Sequence, residues 1–275
     1  MFLSLKTIKT VPLNENLEHR LFEFMNRDKI SHFYDIYDLT YLREKTRTWV
    51  ALSNNKLMGY MVEYDKRILT MRGNEKCITS LLKKTDLITP IFNIEPQHLT
   101  AVKGLYEPTE PPDKMTLGKI TTFLTMKTTS DTFKPIIRHN VQQLKRDNAQ
   151  ALGKLFGAEP QRVRDLLRGI AFGIFKRNRL VSAAASPEIL EDLAIIRGVQ
   201  TAPEERNKGY STSVCSALVQ QLTKEGKDVM LYVSKDNPPA LKVYKKIGFK
   251  ETGHKFLSFM AQRKQNRPNK SPKTT

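Results

Sequence analysis

The residues best suited to chemistry lie in the run Val199-Gln-Thr-Ala-Pro-Glu-Glu-Arg-Asn-Lys-Gly-Tyr-Ser-Thr212, where a strand-like segment passes through a polar loop into an amphipathic helical stretch. Such a loop brings the unpaired N–H groups and the positive dipole end of a first helical turn to one point. Arg206 and Lys208 add charge, Gly209 lets the backbone approach a ligand closely, and Ser211, Thr212 and Ser213 add hydroxyls. That is the chemistry of a phosphate or diphosphate cradle. A second set follows some thirty residues later, in Asn237, Ala240, Tyr244, Gly248 and Phe249. Pro238 and Pro239 suit the first turn of a helix, on which Ala240 and Tyr244 share one face. A small side chain there permits close approach, and a phenol stands one turn further along the same edge. Other chemistries lose support. GxxxxGK[ST] and HExxH are absent, and no GxGxxG follows a strand. Cys77 and Cys215 lie far apart without a CxxC spacing, which fits a reducing compartment.

The elements that would position these residues can be read from periodicity and punctuation. In the second half, residues 134–141 predict a strand, 149–157 a helix stopped by Gly157, and Pro160 opens a helix closed by Gly169. Residues 171–176, 180–185 and 193–201 read as consecutive antiparallel strands, separated by turn-rich breaks at 177–179 and 186–192. A helix over 210–225, a buried strand at 229–233, a helix over 238–246 and one or two final strands from 249 complete the half. The first half repeats the plan: strands at 48–52, 56–64 and 68–71, a helix at 75–84, a strand at 87–92, a helix from Glu95-Pro96 to about 106 and a strand at 119–127. Corresponding points are roughly 120–145 residues apart, a repeat of topology rather than of sequence. The polar stretch 128–133 marks the boundary. The expected organisation is a domain at 1–130, a second at 131–261 and a disordered basic tail at 262–275.

A chain of 275 residues, 39% hydrophobic and 27% charged, can build two domains with real cores. It has no apolar run of the roughly 20 residues that span a bilayer, and its start has no basic region ahead of an apolar core. The expectation is a cytoplasmic protein with no membrane partner. The net charge of +18 is uneven: residues 1–134 hold 20 Lys/Arg against 16 Asp/Glu, and residues 135–275 hold 26 against 12. Polyanions are therefore expected at the second half, whether nucleic acid (reached through the basic tail), a phosphorylated cofactor or an acidic surface.

The pair of motifs, Pro203-x-x-Arg206-x-x-Gly209-x-Ser211 and Asp236-Asn237-x-Pro239-Ala240-x-x-x-Tyr244-x-x-x-Gly248-Phe249, resembles the GCN5-related N-acetyltransferases (GNAT), over about residues 135–260. It is most similar to the branch that includes glycine N-acyltransferase-like proteins. The resemblance implies an α/β (α+β) fold of two GNAT-like domains in tandem, each a mixed, mostly antiparallel sheet flanked by helices, with the N-terminal one degenerate. It implies an N-acetyltransferase that uses acyl-CoA, foremost acetyl-CoA, with no metal, on an amine of a small molecule or protein. The diphosphate would rest on the N–H groups of Asn207, Lys208, Gly209, Tyr210, Ser211 and Thr212, helped by Arg206 and Lys208. The pantetheine arm would lie beside Val199, Gln200 and Thr201, with a main-chain N–H near Val199 polarising the thioester carbonyl. Asn237 would contact the cofactor, and Tyr244 would be the catalytic acid. Lys242, Lys245 and Lys246 would either lower its phenol pKa or form a solvated helix face. Ser211 departs from the family's Gly or Ala but keeps the backbone accessible. The first half's counterpart loop, 71–77, lacks the basic-Gly-small arrangement and carries Glu75, so it is expected not to hold the cofactor. The fourth-strand position where some members carry a base falls near Ile195, which cannot serve; Glu191, Asp192, His139 and His254 stay open. The alternative is a basic nucleic-acid- or ribosome-associated binding protein with a GNAT fold and no catalysis.

Overall fold

The computed structural model describes residues 7–110 and 120–265. The chain forms two compact units, one of the chain up to Thr122 with the chain from Phe256 on, the other Phe123–Lys255. The first contains β1 (Lys9–Pro12), α1 (Glu15–Asn26), α2 (Phe33–Tyr41), β2 (Thr46–Ser53), β3 (Lys56–Tyr64), β4 (Ile68–Gly73), α3 (Glu75–Leu82), β5 (Ile91–Ile94), α4 (Leu99–Leu105) and β6 (Tyr106–Thr109). Its strands β1 to β4 form an antiparallel meander, and β4 pairs β5 in parallel. Leu69, Met71, Ile78, Leu81 and Phe92 fill its core with Phe259.

The second unit holds β7 (Thr121–Thr128), β8 (Gln142–Gln143), α5 (Ala149–Phe156), α6 (Pro160–Leu166), β9 (Ile170–Lys176), β10 (Arg179–Ile189), β11 (Leu193–Thr201), α7 (Tyr210–Lys224), β12 (Asp228–Ser234), α8 (Pro238–Lys246) and the start of β13 (Lys250–Arg263). Strands β8 to β11 run antiparallel, β12 joins β11 in parallel, and β7 pairs antiparallel with β12. Each unit is thus a mixed, mostly antiparallel sheet flanked by helices. One face of the second sheet packs on α7 and α8 through Val214, Cys215, Leu218, Leu222 and Ile247. The other packs on α5 and α6 through Leu152, Phe156, Val163 and Leu166. Each such buried aliphatic side chain contributes about 1.5–3 kcal/mol.

Two connections are non-local. Strand β7 hydrogen-bonds to β12, from Phe123↔Ser234 to Thr128↔Val229. The far end of β13 returns to the first unit, pairing with β5 from Leu257↔Ile94 to Met260↔Ile91 and with β6.

Several expected elements differ. Residues 134–141 form no strand. Pro135 has no N–H to give a ladder, and the N–H groups of Ile136 and Arg138 donate to the Ser216 and Ser213 hydroxyls of α7 (3.0 and 3.1 Å). The break at 186–192 begins four residues too early, because β10 runs through Pro187 to Ile189. A register shift between Ala185 and Glu188 absorbs the proline, which cannot donate in a regular ladder. Helices α1 and α2 and strand β6 had no counterpart in the reading of the sequence. The start of the expected tail is ordered: Gln262 and Arg263 end β13, and Arg263 Nη1 donates to the Thr85 carbonyl at 2.6 Å. Residues 266–275 of that tail lie outside the described residues. Among the described residues, no helix is long and apolar enough to cross a membrane.

Candidate active site

The site starts from an irregularity in β11. Pairing with β10 runs Ala183↔Gln200 and then Ala185↔Arg197, so β11 carries an extra residue there. Gly198 takes the left-handed φ of +65°, and a Cβ on it would come within 2.6 Å of Leu166 Cδ2 of α6. Parallel pairing with β12 stops just before this bulge, at Ile196↔Leu231, although β11 continues to Thr201 and β12 to Ser234. Beyond Ile196, β12 stays paired with β7 while β11 stays paired with β10, so the two parallel strands part. The main-chain groups of Val199, Gln200 and Thr201 on the edge facing β12 therefore have no ladder partner. Their side chains are used internally: Gln200 Nε2 donates to the Leu155 carbonyl at 2.8 Å, and Thr201 and Ser182 share a hydroxyl hydrogen bond of 2.8 Å.

From Thr201 the chain makes a short helical turn at Pro203–Glu205, passes Asn207 (φ 63°) and enters α7 at Gly209 (φ 81°). Two successive left-handed stations fold the loop back over the helix start, a geometry glycine adopts freely. Glycine as N-cap brings no side chain, so nothing caps α7. Among the described residues, no protein group accepts from the main-chain N–H groups of residues 207–212. The stretch therefore presents its main-chain N–H groups without an internal acceptor.

The side chains expected to assist divide. Arg206 is exposed, and its Nε reaches back to the Thr201 carbonyl at 3.4 Å. Lys208 is committed elsewhere: Nζ lies 2.8 Å from Glu205 Oε2, and Lys176 Nζ holds the other oxygen at 2.9 Å. Those two lysines pull the Glu205 carboxyl down to about 2, and Glu205 in turn raises the Lys208 ammonium. Ser213 also departs from expectation, since its Oγ accepts from the Arg138 N–H and contacts His139 Nδ1 (2.9 Å). The His139 ring packs edge-on against Tyr210 with centroids 4.5 Å apart.

Helix α8 carries the second motif. Asn237 is its N-cap, with Oδ1 accepting from the Ala240 N–H at 3.2 Å. Losing that cap should lower stability by about 1 kcal/mol, so Asn237→Ala is expected to shift the urea midpoint down. Tyr244 is 7% exposed and packs on Phe249, with ring centroids 5.9 Å apart. No described protein group hydrogen-bonds its hydroxyl. The expected lowering of its pKa does not occur. Burial, with a smaller contribution from Cys215, pushes the phenol well above its usual range. Lys242, Lys245 and Lys246 lie on the exposed face of α8, and Lys245 pairs with Glu251 at 2.8 Å. Of the base candidates, Glu191 and Asp192 are exposed at the turn before β11, at the opposite end from the bulge.

Residues 171–257 match the model of the FR47-like protein family. No curated protein matches the chain. Among solved structures, a Drosophila protein aligns with a TM-score of 0.68 at 10% identity, covering 91% of this chain and 98% of that one. A GCN5-related N-acetyltransferase from Sphaerobacter thermophilus aligns at 0.61 and 11% identity (95% and 96% covered). A tandem GNAT protein from the clavulanic acid biosynthesis pathway aligns at 0.60 and 12% (94% and 98% covered). The chain has the GNAT fold, twice over.

The two GNAT units differ where the site would be. Met71-Arg72-Gly73 ends β4 as Ile196-Arg197-Gly198 interrupts β11, and in both the parallel pairing stops at the first of these residues. In the first unit, however, buried His98 places Nε2 2.8 Å from the Gly73 carbonyl, using the edge that stays open in the second. Asn74 then caps α3, accepting from the Cys77 N–H at 3.0 Å. A side chain thus occupies part of that first turn, where α7 has none.

Both cysteines are buried, and burial raises both thiols, Cys215 to about 12. A thiol reagent is therefore expected to label neither in the native protein and both after denaturation. Among the described residues, no group of three His, Cys, Asp or Glu side chains could hold a metal. One polar residue at the site escaped the reading of the sequence: Glu188, placed in a turn-rich break, sits on β10 directly opposite Ile195.

Proposed function

We propose that the protein is an N-acyltransferase that moves an acyl group, foremost acetyl, from acyl-CoA to an amine by direct attack. The observation that carries this reading is the open edge of β11 leading straight into the N–H groups of residues 207–212, for which no acceptor exists among the described residues. The first feature suits an extended arm that hydrogen-bonds like a strand, and the second suits a diphosphate. Glycine at position 209 leaves the space a Cβ would take, so the fit is one of backbone shape.

On this reading the N–H groups of Asn207 to Thr212 hold the diphosphate, with Arg206 as the available cation, while Lys208 acts through Glu205 to fix the loop. Val199, Gln200 and Thr201 present main-chain groups to the pantetheine arm. The N–H near Val199 stabilises charge developing on the thioester oxygen. Tyr244 donates a hydrogen bond to the departing sulfur. A phenol is already a weaker acid than a thiol by about 1.5 units, or roughly 2 kcal/mol. Burial widens that gap, so Tyr244 acts as a donor to the leaving group and not as a bulk acid. Asn237, whose oxygen caps α8, has its amide nitrogen to offer the cofactor.

Mass spectrometry of the purified protein for bound CoA species, followed by an amine panel assayed for free-thiol release, tests the reading. Bound CoA with amine-dependent thiol release is expected. Micromolar nucleic-acid binding without CoA affinity would favour the basic binding protein instead.

A further inference from the structure

We propose that Glu188 is the group that takes the proton from the attacking amine, a role that rests on the acyl-transfer reading above. Glu188 is 6% exposed, yet its carboxylate is only half satisfied. One oxygen holds Arg197 Nη2 at 2.8 Å, and Oε2 is buried with no hydrogen-bond partner among the described residues. Two residues earlier, the Ser186 hydroxyl is also buried and partnerless. Two orphaned polar atoms flank the Pro187 irregularity of β10, and a buried group left unpaired costs about 1–3 kcal/mol.

Their position gives them a use. Glu188 faces Ile195 across the sheet, a separation of about 5 Å between Cβ atoms. Ile195 stands one residue before the last β11–β12 pair, so the carboxylate lies about 3 Å in strand rise from where the edge opens. It is on the same sheet face as Arg197, whose side chain is 44% exposed. A cationic amine approaching the thioester end of that edge supplies the donor that Oε2 lacks, directly or through one water.

The step balances. The ammonium N–H bond breaks and an O–H bond forms on Glu188 Oε2. The freed nitrogen lone pair bonds the acyl carbon, the C–S bond breaks with its electron pair leaving on sulfur, and the second proton shed by the nitrogen ends on that sulfur, which the Tyr244 hydroxyl steadies by a hydrogen bond, so that amide and CoA thiol result. Burial raises the Glu188 carboxyl; Arg197 of β11 and Arg168 after α6 oppose the rise, and Asp165 of α6 adds to it. Glu188 must be ionised to accept the proton, so the rate is expected to climb with pH through a limb displaced above the ordinary carboxylate range.

The test uses the full chain with acetyl-CoA and three acceptors: an amino acid, a polyamine and a lysine-containing peptide. Glu188→Gln is expected to lower kcat at least 100-fold at neutral pH, to leave CoA affinity unchanged and to abolish the acidic limb. Arg197→Met, which keeps the carboxylate and removes its counter-charge, is expected to move that limb upward in pH, and it decides the matter should Glu188→Gln fail to fold. An intact limb in Glu188→Gln, or an unmoved one in Arg197→Met, overturns the role of Glu188 while the acyltransferase reading stands. A wild-type protein that binds no CoA and acylates none of the three acceptors takes down both.

Discussion

Replacing Gly209 by aspartate should weaken CoA binding at least 100-fold, about 2.7 kcal/mol, while the protein stays folded. Gly209 sits at φ 81° as the uncapped start of α7. A non-glycine residue in that conformation costs roughly 1–2 kcal/mol. The rest comes from a carboxylate placed where the diphosphate would lie, which also caps the first turn with the wrong charge. Gly209→Ala separates the two terms. Its Cβ would meet only His139 Cε1, at an ordinary 3.5 Å, so a loss of about tenfold, from strain alone, is expected. Titration calorimetry with CoA reads both variants. Equal losses would show that charge at this point is irrelevant and that the loop holds no phosphate.

The second large effect is on turnover. Tyr244→Phe should lower kcat about 100-fold and leave CoA affinity and thermal stability nearly unchanged. The hydroxyl makes no hydrogen bond with the described protein, so the ring alone supplies the packing against Phe249 and the α7 face. Because burial holds the phenol above its usual range, it stays protonated across the assay range. The wild-type rate should therefore show no alkaline fall from Tyr244 up to about pH 10. A fully active phenylalanine variant would remove Tyr244 from the reaction.

What could be read from the sequence divides along local and non-local lines. Gly209 and the residues after it expose their main-chain N–H groups through local backbone geometry, and Tyr244 is placed by helical spacing from Asn237; both are legible because the chain neighbours carry the cause. The charge of Lys208 is visible in the sequence, whereas its ion pair with Glu205, three residues away, emerges only from the loop geometry. The fate of 134–141 turned on Ser213 and Ser216, some 75 residues distant, whose hydroxyls replace a ladder. Glu188 was hidden by Pro187: a proline in a serine- and acid-rich stretch signals a turn, and only the β10 bulge lets a strand carry it. The pairing of β7 with β12 and of β13 with β5 has no signature at either strand, since short apolar strands do not name their partners.

The most direct test of the account is amide NMR of the protein titrated with CoA. The largest shifts are expected on the N–H groups of residues 207–212, with a second set on Val199 to Thr201. Saturable CoA binding that leaves both sets unmoved would contradict it.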